Sequence, residues 1–207
     1  MWVIFFEIKF FERLALAENL GLEQFPNISI FNSDLKKKFH FNKEITKKSV
    51  YKFIQNYENK KLKSFKKSKK RPLNDKDEYY PTMKEVVATS FQEIVLQSSN
   101  DVFILIYAEW NDLSMKYVDL FSIISQLLHS IKHDSIIVCK MDFDENDLHE
   151  DFFNQEDKIP ILKYFKKDDK KNPISYQFYD NIENLIKFIN LHSTFAILIF
   201  LMIFEQK

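Results

Sequence analysis

The sequence predicts a mixed α/β fold, a central sheet flanked by helices, within a chain of 207 residues. Three observations predict it. Val102 to Ala108 and Ser135 to Met141 are almost uninterrupted apolar runs, the pattern of strands buried on both faces. Between them Val118, Phe121, Ile124, Leu128 and Ile131 recur at helical spacing, over a span from about Leu113 to Lys132. Further on, Ile161 to Phe165 and Ile174 to Phe178 bracket the polar stretch Lys166 to Asn172 as a hairpin, and Ile182, Leu185, Ile186 and Ile189 define a closing helix. With a short strand at Glu85 to Ala88 and a helix capped by Ser90 and running through Leu96, the predicted order is β-α-β-α-β-α-β-β-α. Such an order requires right-handed crossovers around one sheet.

Upstream, residues 1–62 read as a smaller α/β piece. Val3 to Phe6 forms a strand, and Phe10, Leu14, Ala17 and Leu20 mark a helix that Gly21 ends. Asn27 to Phe31 alternates as a strand and pairs antiparallel with Lys38 to Phe41 across Asn32-Ser33-Asp34. Thr46 caps a helix whose apolar stripe is Val50, Phe53, Ile54 and Tyr57. Eight basic residues between Lys60 and Arg71, then the polar stretch Pro72 to Pro81, set residues 63–81 apart as a charged linker.

Thirty basic and thirty acidic residues cancel, so bulk charge gives no reason to expect nucleic acid. Cys139 is the single cysteine, which excludes an intramolecular disulfide and a zinc site built from several cysteines. It lies inside a strand and reads as a buried structural thiol. The single glycine, against a usual share of about 7%, excludes a phosphate-cradling glycine loop, although AT-rich coding bias also depletes this residue. Trp2 to Phe6 is too short for a secretory signal, broken as the region is by Glu7 and Lys9. At the other end, residues 194–207 carry ten consecutive apolar positions, Phe195 to Phe204, against roughly 20 for a spanning helix. A membrane-dipping tail, a partner-binding helix or a non-native exon are the readings of that segment.

Several segments carry a resemblance. Tyr107-Ala108-Glu109-Trp110, Lys140-Met141-Asp142, Ile159-Pro160-Ile161-Leu162-Lys163-Tyr164-Phe165, and Asn172 through Ile189 together resemble the thioredoxin fold. More closely they resemble the last catalytic module of protein disulfide isomerase, over residues 82–193. Leu20-Gly21-Leu22, Pro26 to Ile30, Ile45 to Val50, and Phe53 through Lys63 are similar to the second half of that family's substrate-binding module. Residues 1–62 are therefore expected to form a partial thioredoxin-like module, with the half that carries most of the peptide-binding pocket missing.

The resemblance places a Cys-x-x-Cys pair where this chain has Asn111-Asp112-Leu113-Ser114. Dithiol oxidoreductases attack through a low-pKa thiolate at a helix N-terminus and resolve the mixed disulfide with a second thiol. An amide and a hydroxyl do neither. The resemblance also implies a buried acid where Leu105 stands and an arginine where Asp157 stands. No catalytic residue is expected, and Asn111, Asp112, Leu113 and Ser114 form a degenerate site. Pro160 is expected to follow a cis peptide bond. Trp110, Ile159 and Pro160 are the candidate peptide-binding residues, against the alternative that Trp110 packs over the helix start and Ile159 covers the sheet.

Other constellations are weaker. His129 and His133 stand four apart on a helix but have no identifiable third ligand. Asp142, Asp144 and Asn146 begin like a calcium loop, yet Asp147 stands at the turn glycine and Phe153 at the bidentate acid. No metal and no cofactor are expected. The expected function is that of a redox-inactive protein disulfide isomerase-like protein in the endoplasmic reticulum. It would assist folding as a chaperone, with unfolded polypeptides, other oxidoreductases or chaperones as partners and no nucleic acid. Two alternatives stand beside it: a C-terminal fragment of an active isomerase whose dithiol lies upstream, and a membrane-associated adaptor held by Phe195 to Phe204.

Overall fold

The structure is a computed structural model that describes residue 22 and residues 26–32, 37–154, 157–177 and 181–194. The expected strand at Val3 to Phe6, the helix ending at Gly21 and the apolar tail Phe195 to Phe204 lie outside the described residues. The chain divides into two compact units, Met1–Lys67 and Ser68–Lys207.

In the first unit, β1 (Ser29–Asn32) pairs antiparallel with β2 (Lys37–His40), and α1 spans Lys47–Glu58. Thr46 caps α1 as predicted. Its hydroxyl accepts from Ser49 N at 3.2 Å while Thr46 N donates to Ser49 Oγ at 3.0 Å. A cap of this kind contributes about 1 kcal/mol. The stripe on α1 closes a small core in which Phe53 meets Phe39 and Phe41, with Val50, Tyr57, Ile28 and Ile30 around them. This hairpin-then-helix order repeats the order that ends the second unit.

The second unit is built on a five-stranded mixed sheet. Its strands are β3 (Lys84–Glu85), β4 (Asp101–Tyr107), β5 (Ile136–Asp142), β6 (Ile161–Lys166) and β7 (Asp169–Tyr176), in spatial order β3-β5-β4-β6-β7. β5 runs parallel to β3 and β4, whereas β6 is antiparallel to both β4 and β7. Helices α2 (Asp112–Ser130) and α3 (Ile182–His192) complete it. That strand order and those directions are the thioredoxin-like arrangement, reached from the sequence pattern predicted above.

Every residue of β4 is buried, as its apolar run requires, and the sheet separates two cores. Leu105, Phe103 and Tyr107 face α2 and α3, meeting Phe121, Val118, Leu185 and Ile189. Ile104, Ile106 and Val102 face the other way, onto Phe91, Ile94, Phe153 and Phe165. Each such fully buried side chain contributes about 1.5–3 kcal/mol of transfer free energy. At its start β4 also buries a charge. The Asp101 carboxylate accepts from Tyr164 Oη at 2.9 Å, Lys167 N at 2.7 Å and Thr194 N at 2.9 Å, fastening the hairpin turn and the end of α3 to the central strand.

Five sequence expectations are corrected. β3 stops at Glu85, because Val87 begins a turn whose N–H donates to Ser90 Oγ at 3.0 Å. Ser90 thus sits one turn inside the helical segment instead of capping it, and Gln92–Leu96 there is a π-helical turn. The hairpin loop is only Lys167-Asp168, since β7 is an edge strand and its polar residues face solvent. No helix joins β5 to β6 among the described residues. Asp142 Oδ1 instead accepts from Asp144 N and Glu145 N, and such side-chain-to-backbone turns break the helical path. Finally, the linker expected over 63–81 is not a free connection. From Ser68 onward it belongs to the second unit, with Lys69 Nζ 2.8 Å from Glu85 and Arg71 paired to Asp75 and Glu93.

Candidate functional site

The degenerate tetrapeptide lies where β4 hands over to α2. Asn111 N donates to Ala108 O at 3.1 Å, closing the turn after the strand. Asn111 is then the N-cap of α2, its Oδ1 accepting from Ser114 N at 2.9 Å. The same amide turns outward as a donor, with Nδ2 3.4 Å from Ile159 O. Ile159 and Pro160 are joined by a cis peptide bond, as expected. One side chain therefore satisfies the helix start and reaches the cis-proline segment, the two features between which a reactive thiol would sit.

The remaining site residues divide by burial. Asp112 is exposed, Leu113 is half-buried against the α2 core, and Ser114 is 0% exposed with no hydrogen-bond partner for its hydroxyl among the described residues. Ile159 and Pro160 are half-buried, and Ile159 packs against the core on the far side of the sheet. Trp110 is 67% exposed, and its indole Nε1 donates to Asp144 Oδ2 at 2.8 Å. Trp110 is thus largely exposed, tied to the turn after β5, while Ile159 covers the sheet. Phe143 follows at the end of β5, its N–H donating to Tyr107 O at 2.8 Å, and is 40% exposed.

Beneath the site, Leu105 fills the place of the expected acid and is wholly buried. In register beside it on β5 stands Lys140, also buried. Its Nζ lies 2.8 Å from Asp77 Oδ2 and about 5 Å over the rings of Tyr80 and Tyr107, at 5.1 and 4.9 Å. Burial alone would raise the Asp77 pKa. The hydrogen bond and charge of Lys140, with N–H donors from Tyr80 and Tyr79, hold it below the usual carboxylate value instead. Sequence reasoning missed this pair, although a lysine inside an otherwise apolar strand was a visible signal that a counter-charge must be near.

Asp157, at the expected arginine, lies 3.7 Å from Lys163 Nζ and accepts from Asn154 N at 3.1 Å. Cys139 is fully buried, its Sγ 3.7 Å from Phe103 O, and burial pushes its pKa far up. A thiol so placed is neither nucleophile nor metal ligand. Asn146, third in the calcium-like run, is consumed by structure. Its Oδ1 accepts from Ala88 N at 2.9 Å and Lys69 N at 3.1 Å, while its Nδ2 donates to Asp142 O at 3.0 Å. Among the described residues no three His, Cys, Asp or Glu side chains converge as a metal site. No described helix is long and apolar enough to cross a membrane.

No family model matches the chain. Among curated proteins, protein disulfide-isomerase of Humicola insolens is 30% identical over 177 residues, 83% of this chain and 33% of that protein. Protein disulfide-isomerase A4 of Homo sapiens is 28% identical over 182 residues, 86% of this chain and 27% of that protein. By sequence, this chain is similar to protein disulfide isomerases over most of its length. The aligned stretches are longer than the second unit and so reach into the first, which places both units within the relationship. The chain spans 27% to 35% of the length of these and a fission-yeast relative. Among solved structures, full-length ERdj5 is 15% identical with a TM-score of 0.42, covering 85% of this chain and 22% of its own.

Proposed function

We propose that this protein disulfide isomerase-like chain exchanges no thiols at its own site. It assists folding by binding unfolded polypeptides, or a partner oxidoreductase or chaperone, in the endoplasmic reticulum. The observation that carries the reading is Asn111. Its amide holds the helix start and reaches 3.4 Å to Ile159 O, in the position that a reactive thiolate would need. With Ser114 buried behind it and Cys139 inside the sheet, no ionisable sulfur is within reach of a substrate disulfide. What the site offers is a largely exposed tryptophan, next in sequence to the Asn111 that reaches the cis-proline segment, features suited to an extended apolar chain.

Trp110, Ile159 and Pro160 are the binding residues of this reading. The experiment is titration of the chain with a fluorescent peptide from a reduced, unfolded client. Saturable binding that Trp110→Ala weakens roughly tenfold, equivalent to about 1.4 kcal/mol, supports it. Equal affinity of the unaltered chain and the variant removes Trp110 from the site.

The organisation we propose has residues 1–62 as a remnant of the substrate-binding module, ahead of the thioredoxin-like domain over 82–193. Limited proteolysis tests it: the remnant is cut first, and equal resistance of both parts contradicts the assignment. A second reading is favoured by the chain's spanning only about a third of its relatives. In it, a longer parent carries a dithiol module upstream. Sequencing the native transcript across Met1 decides between them, with a Cys-x-x-Cys module in frame as the supporting result.

A further inference from the structure

The neutral total charge conceals an uneven distribution. Residues 36–67 hold twelve lysines against only Glu44 and Glu58. Counted from Met1 to Lys67, the first unit has fourteen basic and seven acidic residues, whereas the second has sixteen basic and twenty-three acidic. A coding bias toward lysine acts along the whole chain and does not account for this segregation.

The fold gathers six of these lysines into two groups. On α1, Lys47, Lys48 and Lys52 are exposed together with Tyr51, opposite the face that buries Phe53. At the other edge the chain after α1 returns beside β2, bridging Lys38 and Phe65 antiparallel, with Phe65 N donating to Lys38 O. In that register Lys37 stands beside Lys66, and Lys63 follows close by. All three are exposed. The six side chains enter no ion pair among the described residues. Like charges brought together by folding repel, and a bound anionic partner relieves that repulsion.

We infer that the lysine-rich surface of the first unit docks an acidic polypeptide segment. Two features select this partner among polyanions. Every basic residue in 36–67 is lysine, a hydrated point charge, where phosphate and nucleic-acid recognition favours the bidentate arginine fork. The two groups also lie on separate elements, Lys47, Lys48 and Lys52 on α1 and Lys37, Lys63 and Lys66 where the chain after α1 runs beside β2. A flexible acidic chain can follow from one group to the other.

The test is fluorescence anisotropy of labelled poly-L-glutamate titrated with the full chain at about 0.15 M salt. The expected result is saturable binding that weakens at least roughly tenfold at about 1 M salt, where the screening length falls to about 3 Å. The combined variant K37Q/K47Q/K48Q/K52Q/K63Q/K66Q loses binding by a similar factor. K132Q/K171Q, altering exposed lysines of the second unit, leaves it unchanged, and so does Trp110→Ala, which separates this surface from the client site. Binding that persists at high salt, an equal loss in K132Q/K171Q, or no saturation at about 0.15 M salt overturns the proposal. Tighter binding to a DNA duplex or to phosphatidylserine vesicles than to polyglutamate overturns the choice of partner. The salt titration uses the unaltered chain, so it decides the matter even if a variant fails to fold.

Discussion

Lys140 Nζ and Asp77 Oδ2 lie 2.8 Å apart, both side chains almost wholly buried, in register beside Leu105. The place of the family's buried acid is thus apolar, and the neighbouring ammonium takes its counter-charge from the segment before the first strand of the domain. Removing one partner leaves an uncompensated buried charge. Asp77→Ala is therefore expected to cost about 3–5 kcal/mol in urea unfolding. Adding Leu105→Glu to that variant restores a carboxylate beside Lys140 and recovers part of the loss. An unchanged unfolding midpoint in Asp77→Ala contradicts the pairing.

The same pair sets an acid limit. The Asp77 pKa is lowered in the folded chain, and so is that of Asp101, where burial pushes upward but the donors Thr194, Lys167 and Tyr164 outweigh it. A carboxylate whose folded pKa is depressed contributes stability that is complete above its unfolded value, about 3.9. That contribution is lost as pH falls through the lower, folded value. Thermal unfolding is expected to be insensitive to these groups from pH 6 down to about 5 and to drop steeply below about 4. In Asp77→Asn the acid drop is shallower, and an identical pH profile for that variant removes Asp77 as a source.

How much of this was legible in the sequence depended on where the signal lay. Central strands announce themselves, because burial on both faces leaves only apolar residues, as in Val102 to Tyr107. The helix start at Thr46 was readable from side-chain chemistry, and so was the absence of thiols at Asn111 and Ser114, whereas the start at Asn111 lies ahead of the apolar stripe that located its helix. Edges were not. The polar strand β7 looked like a loop because half its surface is solvated, and Ser90 looked like a cap because a hydroxyl serves equally well one turn later. Segment 68–81 read as linker from its charge, yet Lys69, Arg71 and Asp77 find partners far along the chain. Periodicity carries no information about such long-range pairs.

A shortage of glycine leaves a mark that can be measured. α1 and α2 both end with a residue in the left-handed region where glycine is usual, Lys60 at φ 55° and Lys132 at φ 53°. Around Lys132, His133 N donates to Leu128 O at 2.9 Å and Lys132 N to His129 O at 3.0 Å, the hydrogen bonding of a glycine-type cap. A lysine there bears the left-handed penalty of roughly 1–2 kcal/mol, which glycine avoids while losing about 0.5–1 in unfolded-state entropy. Lys132→Gly is expected to stabilise the second unit by about 0.5–1 kcal/mol in urea unfolding. Destabilisation in that variant contradicts the cap.

Cys139 offers a check on burial that is independent of activity. Its thiol sits between β4 and β3 in the sheet, fully enclosed and held protonated by desolvation. An aromatic disulfide reagent at pH 8 is expected to label no thiol in the native chain and one in denaturant, since only the thiolate reacts. Rapid labelling without denaturant contradicts the placement.

The central claim is that a thioredoxin-like scaffold persists here without its redox chemistry. Turbidimetric reduction of insulin by the purified full chain, in the presence of dithiothreitol, tests it most directly. The account predicts the rate of dithiothreitol alone, because Asn111 and Ser114 can form no mixed disulfide and Cys139 is enclosed. A rate that rises in proportion to the chain's concentration, and that Cys139→Ala abolishes, would contradict it.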